Sequence, residues 1–135
     1  MCGIFGYIGE QRASDKIYSG LEKLEYRGYD SSGMVVFDKE TNHLTYAHYL
    51  SAPSKVEHRY ALPDSNCAIG HTRWATHGSV KLENCHPHRS CDDSVFLVHN
   101  GVIENADEIR QGLENQDCLF YSETDTEALV NLISF

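Results

Sequence analysis

Apolar residues along this chain fall into short continuous runs and longer runs with helical spacing. Ile4, Phe5, Tyr7 and Ile8 form a run interrupted only by Gly6, without polar alternation, which predicts a strand over residues 4–8 buried on both faces. Ile17, Leu21 and Leu24 then recur at helical spacing behind Ser14, a residue suited to an N-cap, and Gly28 stands where a C-terminal cap would fall. Residues 33–37 predict a second strand, residues 38–42 a polar turn, and residues 44–49 a third strand. Two further strands are predicted over residues 68–72 and 95–99. The segment between them, residues 73–93, is so rich in histidine, glycine, proline and charge that it predicts a long loop, and long loops in a compact domain are usually functional. Asn105 and Glu108 have the spacing of a capping box ahead of Ile109 and Leu113. A last helix opens at residues 124–127 and carries Ala128, Leu129, Leu132 and Ile133.

Strands apolar on both faces, with one-sided helices between them, suit two stacked sheets each covered by helices. A single sheet with helices on both sides satisfies the same pattern. The apolar helical run continues to Phe135 with no capping glycine or polar tail, which reads as a chain that stops inside a domain.

The chain has 135 residues, enough for one domain and its core. Its 11 basic and 20 acidic residues give a net charge of −9, which disfavours nucleic acid or an anionic membrane as partner. No apolar run approaches the ~20 residues of a membrane span, and no signal peptide precedes the first strand. Five cysteines with irregular spacing do not read as a disulfide framework, so a reducing cytoplasm is expected.

The candidate chemistry begins at Cys2. Loss of Met1 would put a thiol and a free α-amine on one residue; an α-amine titrates just above neutrality and can serve as that thiol's base. The plain alternative is an incidental small residue. His71-Thr72-Arg73-Trp74-Ala75-Thr76-His77-Gly78 follows a predicted strand, and Arg73 there can hold a carboxylate by two parallel hydrogen bonds or pair with one of the many acidic residues. Asn100 and Gly101 offer a side-chain amide and a backbone N–H as oxyanion donors, although Asn-Gly is equally a hairpin signal. Asp125, in the first turn of a predicted helix, either compensates the helix dipole or receives an ammonium. Cys85-His86-Pro87-His88-Arg89-Ser90-Cys91 has the look of a metal cluster, but no second pair stands at a zinc-site spacing, so neither metal nor cofactor is expected.

Met1-Cys2-Gly3-Ile4-Phe5-Gly6 resembles the start of the class II glutamine amidotransferases, whose domain begins at the cysteine. Leu24-Glu25-Tyr26-Arg27-Gly28-Tyr29-Asp30-Ser31-Ser32-Gly33, the octet at residues 71–78 and Ser122-Glu123-Thr124-Asp125-Thr126-Glu127 are similar to one branch, the isomerizing glutamine–fructose-6-phosphate aminotransferases. The resemblance implies an α+β fold over residues 2–135, the front part of a four-layer αββα N-terminal-nucleophile hydrolase sandwich with mostly antiparallel sheets. It implies that Cys2 is the nucleophile and that Asn100 and Gly101 form the oxyanion hole. Arg73 and Asp125 would hold the two ends of L-glutamine, helped by Thr76 and His77. Trp74 would belong to a loop that covers the site, His86 would lie near it, and Arg27 is a possible support. The implied partners are the sugar-isomerase (synthase) domains of a longer, homo-oligomeric protein, absent from this chain, which use the ammonia to make glucosamine 6-phosphate.

Overall fold

The computed structural model describes residues 1–57, 62–75 and 78–135. Strands β1 (Gly3–Ile8), β2 (Ser31–Asp38), β3 (His43–Tyr49) and β4 (Cys67–Arg73) form an antiparallel sheet in the order β1-β4-β2-β3. Helix α1 (Ala13–Leu24) lies on one face of it. Strands β5 (His88–Arg89) and β6 (Phe96–Leu97) make a second, two-stranded sheet, on which helix α3 (Asp125–Ser134) packs, with α2 (Ala106–Glu114) against α3. The order is helix, sheet, sheet, helix, so the stacked-sheet reading holds over the single-sheet one. The α+β class and the antiparallel pairing follow the expectation.

Register decides which residues face which layer. Met34 lies opposite Gly70 and Val36 opposite Ala68, and together with Ile17, Tyr18 and Leu21 of α1 they build the hydrophobic core. Burying an aliphatic side chain of this size contributes about 1.5–3 kcal/mol. The other face of the sheet carries Tyr46, His48 and His71, which meet the second layer: Tyr46 tilts against Phe96 with ring centroids 5.4 Å apart, and His48 Nε2 donates to the Pro87 carbonyl at 2.9 Å. At Gly33 the layers touch backbone to backbone, since a Cβ there would lie 2.2 Å from the His86 carbonyl oxygen.

Several local expectations are corrected by this packing. β1 is not buried on both faces: Phe5 and Tyr7 turn to the core, while Ile4 and Ile8 are 42% and 78% exposed. Among the described residues it is an edge strand paired only with β4, and the short second sheet meets the first over β3 and β4. Arg12, not Ser14, occupies the N-cap of α1, and Ser14 is buried inside the first turn. A 3-10 turn (Glu25–Arg27) follows α1, and Gly28 closes it in extended conformation, where a Cβ would lie 2.7 Å from the Arg73 carbonyl carbon; close approach, not a left-handed cap, explains this glycine. Asn105 is at the N-cap of α2 but makes no side-chain capping bond. On α3 the buried face is Thr126, Glu127, Ala128, Val130 and Asn131, whereas Leu132 and Ile133 are exposed. The long loop contains β5, and the strand expected over residues 95–99 pairs only through Phe96 and Leu97. No described helix is long and apolar enough to cross a membrane.

Candidate active site

Cys2 stands at the entry of β1, where the Gly3 N–H donates to Thr72 Oγ1 at 3.1 Å and ties the chain start to the neighbouring strand. Its carbonyl oxygen accepts from Arg27 Nε and from Asn100 Nδ2, each at 3.1 Å. The Trp74 N–H donates to Cys2 Sγ at 3.3 Å, and Sγ also reaches the Trp74 carbonyl at 3.6 Å. The thiol is therefore held beside the β4 end by backbone groups. The Trp74 ring leans edge-on against Tyr29, with centroids 5.4 Å apart.

A cavity of about 320 Å³ opens beside the thiol, lined by Cys2, Arg73, Trp74, His86, Asn100, Gly101 and Asp125 among others. Residues from six separate stretches of the sequence, Arg27 included, thus converge on one space large enough for an amino acid. Thr76 and His77 lie outside the described residues. Met1 also lines the cavity and, while it is attached, keeps the nitrogen of Cys2 in a peptide bond. Asn100 and Gly101 follow β6 into a loop that leads to α2, so the hairpin alternative is not realised.

Two side chains of opposite charge, Arg73 and Asp125, line this cavity. Arg73 is buried at the end of β4, with Nη1 donating to the Ser79 carbonyl at 3.1 Å and Nη2 to that of Gly78 at 3.5 Å. The same stretch is clamped to the approach of α3. Glu123 Oε2 accepts from the Ser79 N–H at 3.0 Å and from Asn84 Nδ2 at 2.8 Å, while Asn84 Oδ1 accepts from the Glu123 N–H at 2.9 Å. The Ser79 N–H, then Asn84 and the Ser79 hydroxyl, hold the Glu123 carboxyl down to about 2. Asp125 Oδ2 accepts from the Ile103 N–H at 2.7 Å, which pins the loop after Gly101 to the first turn of α3.

Behind the cavity the two sheets meet through imidazoles. His71 and His86 stack at 4.1 Å with ring planes 14° apart, and His88 meets His86 edge-on at 4.6 Å. Burial pushes His71 down to about 4 and His88 down to about 3, and it drives His86 further still. These rings stack face to face or edge to face and do not aim their nitrogens at a common point. Among the described residues, no group of three or more histidine, cysteine or acidic side chains is placed to hold a metal ion.

Sequence reasoning missed His99 and Thr126 as cavity residues, which bond through His99 Nδ1 and Thr126 Oγ1 at 3.2 Å. Their adjacency to Asn100 and Asp125 was the available signal. It also missed the Glu123–Asn84 clamp, because nothing local in either residue announces a partner 39 positions away.

The sequence profile of the glutamine amidotransferase domain matches residues 54–134, and the chain belongs to that family. Among its relatives, the isomerizing glutamine–fructose-6-phosphate aminotransferase of Staphylococcus aureus (strain N315) is 48% identical over 136 residues, a match covering 100% of this chain and 22% of that protein. The enzyme of the same name from Chlamydia trachomatis serovar D is 46% identical over 139 residues, covering 99% and 22%. The chain thus spans about a fifth of the length of these relatives. Two solved structures share the fold at 33% identity, each covering 99% of this chain and 29% of the other: an allosteric regulatory enzyme of purine biosynthesis (TM-score 0.83) and the glutamine phosphoribosylpyrophosphate amidotransferase of B. subtilis, complexed with ADP and GMP (TM-score 0.81). The architecture is the front part of the four-layer N-terminal-nucleophile hydrolase sandwich.

Proposed function

We propose that this chain is the glutamine-hydrolysing part of an isomerizing glutamine–fructose-6-phosphate aminotransferase. The observation that carries this reading is the convergence of Cys2, Asn100, Gly101, Arg73 and Asp125 on one cavity. Glutamine is a zwitterion with a carboxamide at its far end, so it needs a cation, an anion and an attack site together. Arg73 meets the α-carboxylate, Asp125 the α-ammonium, and Trp74 and His86 wall the space between. Thr76 and His77 are assigned to substrate binding from the motif they share with the branch.

With Met1 removed, the Cys2 α-amine takes the thiol proton as sulfur attacks the carboxamide carbon. The tetrahedral oxyanion is met by Asn100 Nδ2 and the Gly101 N–H, donors of a kind each worth ~10²–10³ in rate. Collapse breaks the C–N bond, the protonated α-amine returns the proton to the leaving nitrogen, and ammonia departs. Water then hydrolyses the γ-glutamyl thioester to glutamate and regenerates the thiol. In the full-length protein the sugar-isomerase domains use the ammonia to convert fructose 6-phosphate to glucosamine 6-phosphate. This reading places the protein in the cytoplasm as a homo-oligomer. The higher identity to the aminotransferases than to the purine enzymes favours this acceptor.

The test joins intact-mass measurement with labelling by a glutamine-mimicking diazoketone. Protein lacking Met1 is expected to gain one adduct at Cys2, suppressed by glutamine; absence of labelling in fully processed protein would sink the reading. A second expectation concerns Arg73→Lys. A bidentate carboxylate contact becomes a point contact, and at about 1.5–3 kcal/mol for a charge-assisted bond the KM for glutamine is expected to rise ~10–100-fold. Steady-state ammonia release measures it, and an unchanged KM would remove Arg73 from the carboxylate.

A further inference from the structure

Asn100 can stabilise an oxyanion only if its NH₂ group, and not its carbonyl, faces the thiol. The carboxamide torsion is broad and roughly two-fold, so nothing within the side chain makes that choice. Its surroundings do. One end lies 3.1 Å from the Cys2 carbonyl oxygen, a group that can only accept, so that end is the nitrogen. The other end is then the oxygen, and it lies 2.8 Å from His71 Nε2. Two acceptors cannot share a hydrogen bond, so His71 carries its proton on Nε2.

His71 is built to hold that proton in place. It sits on β4, between β1 and β2 in the sheet, in register with Ile4 on one side and Gly33 on the other. Its side chain is 1% exposed and stacked on His86, so the ring has no space to swing away. Burial holds it neutral at physiological pH, and a neutral imidazole offers one N–H, here spent on Asn100.

We infer that His71 is a positioning residue for the oxyanion hole: its Nε2–H fixes the Asn100 carboxamide with the NH₂ directed at Cys2. His71 does not line the cavity, so it acts through Asn100. The inference rests on the glutaminase reading above and goes beyond it by assigning the group that orients the donor. Without His71, the carboxamide keeps only the Cys2 carbonyl to set its orientation, and it is freer to flip and present its oxygen to the developing negative charge.

The experiment compares His71→Leu, His71→Gln and Asn100→Ala, singly and as the His71→Leu/Asn100→Ala pair, in protein with Cys2 as first residue. For His71→Leu, kcat for ammonia release is expected to fall ~10²-fold, the lower end of losing one oxyanion donor, with KM changed less than ~3-fold because glutamine is held elsewhere. Alkylation of Cys2 by iodoacetamide, a displacement with no oxyanion, is expected at the unmodified rate. His71→Gln, whose amide N–H can replace Nε2–H, is expected to recover most of kcat. In the Asn100→Ala background, His71→Leu is expected to cost nothing further.

Additive losses in the pair, or equal losses in the Leu and Gln variants, would overturn the inference. So would a slowed iodoacetamide reaction, which would mark a general disturbance of the fold. If the parent protein, shown by mass to lack Met1, releases no ammonia from glutamine, the glutaminase reading fails and takes this inference with it. An active parent with an unaffected His71→Leu variant defeats the inference alone.

Discussion

Cys2→Ala is expected to abolish ammonia release from glutamine, a loss of at least ~10⁴-fold, while leaving glutamine binding nearly intact. The asymmetry follows from the division of labour in the cavity. In the proposed reading Arg73, on β4, and Asp125, on α3, are the groups that hold the ends of glutamine, so removing sulfur removes attack without removing anchorage. In the same reading, the donors assigned to Asn100 and Gly101 have an oxyanion to stabilise only once a nucleophile has created one. Calorimetric titration with glutamine, beside an ammonia assay, reads both halves. The protein with Met1 retained gives the same test by another route. Its thiol is unchanged, yet its nitrogen is an amide and cannot take the proton, so it is expected to be equally silent. Ammonia release by Cys2→Ala near the parent rate would show that Cys2 is not the nucleophile, and release by the Met1-retaining form near that rate would show that the Cys2 α-amine is not its base.

Acid is expected to unfold this protein well above the range of ordinary carboxylates. His71 and His88 fall from an ordinary value of 6.5 to about 4 and about 3, burial being the first cause in each. Their folded values lie below their unfolded ones, so between pH 6.5 and 4 the unfolded chain binds more protons. The stability they allow is fully present above pH 6.5 and is lost as pH falls through that window. By pH 5 each costs about 2 kcal/mol, a large share of the 5–15 kcal/mol typical of a domain. His48 and His86 shift in the same direction, again by burial. Glu123 and Asp92 stay ionised down to about 2, so they do not titrate in this window. Urea midpoints at pH 7.5, 6 and 5 measure the effect. A midpoint unchanged between pH 7.5 and 5 would mean the imidazoles are not held neutral by the fold.

Which residues would share the cavity was largely legible in the sequence, because residue types able to carry chemistry are conspicuous in their local context. Cys2 beside the start, Arg73 and Asn100 just after strands, and Asp125 at a helix start each announce a role through their immediate neighbours. What could not be read depends on register. That Ile4 and Ile8 face outward is decided by how far the second sheet extends, and no periodicity within β1 encodes it. The run from Cys85 to Cys91 has the look of a metal cluster without its spacing, and nothing in it announces that the fold stacks His86 on His71 and sets His88 edge-on to it. The clamp joining Asn84 to Glu123 pairs two unremarkable polar residues from distant segments. Ser14 and Asn105 fit the cap pattern, but one is drawn into the buried first turn and the other makes no bond.

Gly33 lines no part of the cavity, yet it bears on what happens there. Cys2 leads into one sheet and Asn100 lies on the loop leaving the other, so the span from the Cys2 sulfur to the Asn100 amide is also the gap between two layers. That gap closes at Gly33, against the backbone of His86. The chemistry is thus gauged from a point it never touches, and one hydrogen atom in place of a methyl group sets the gauge.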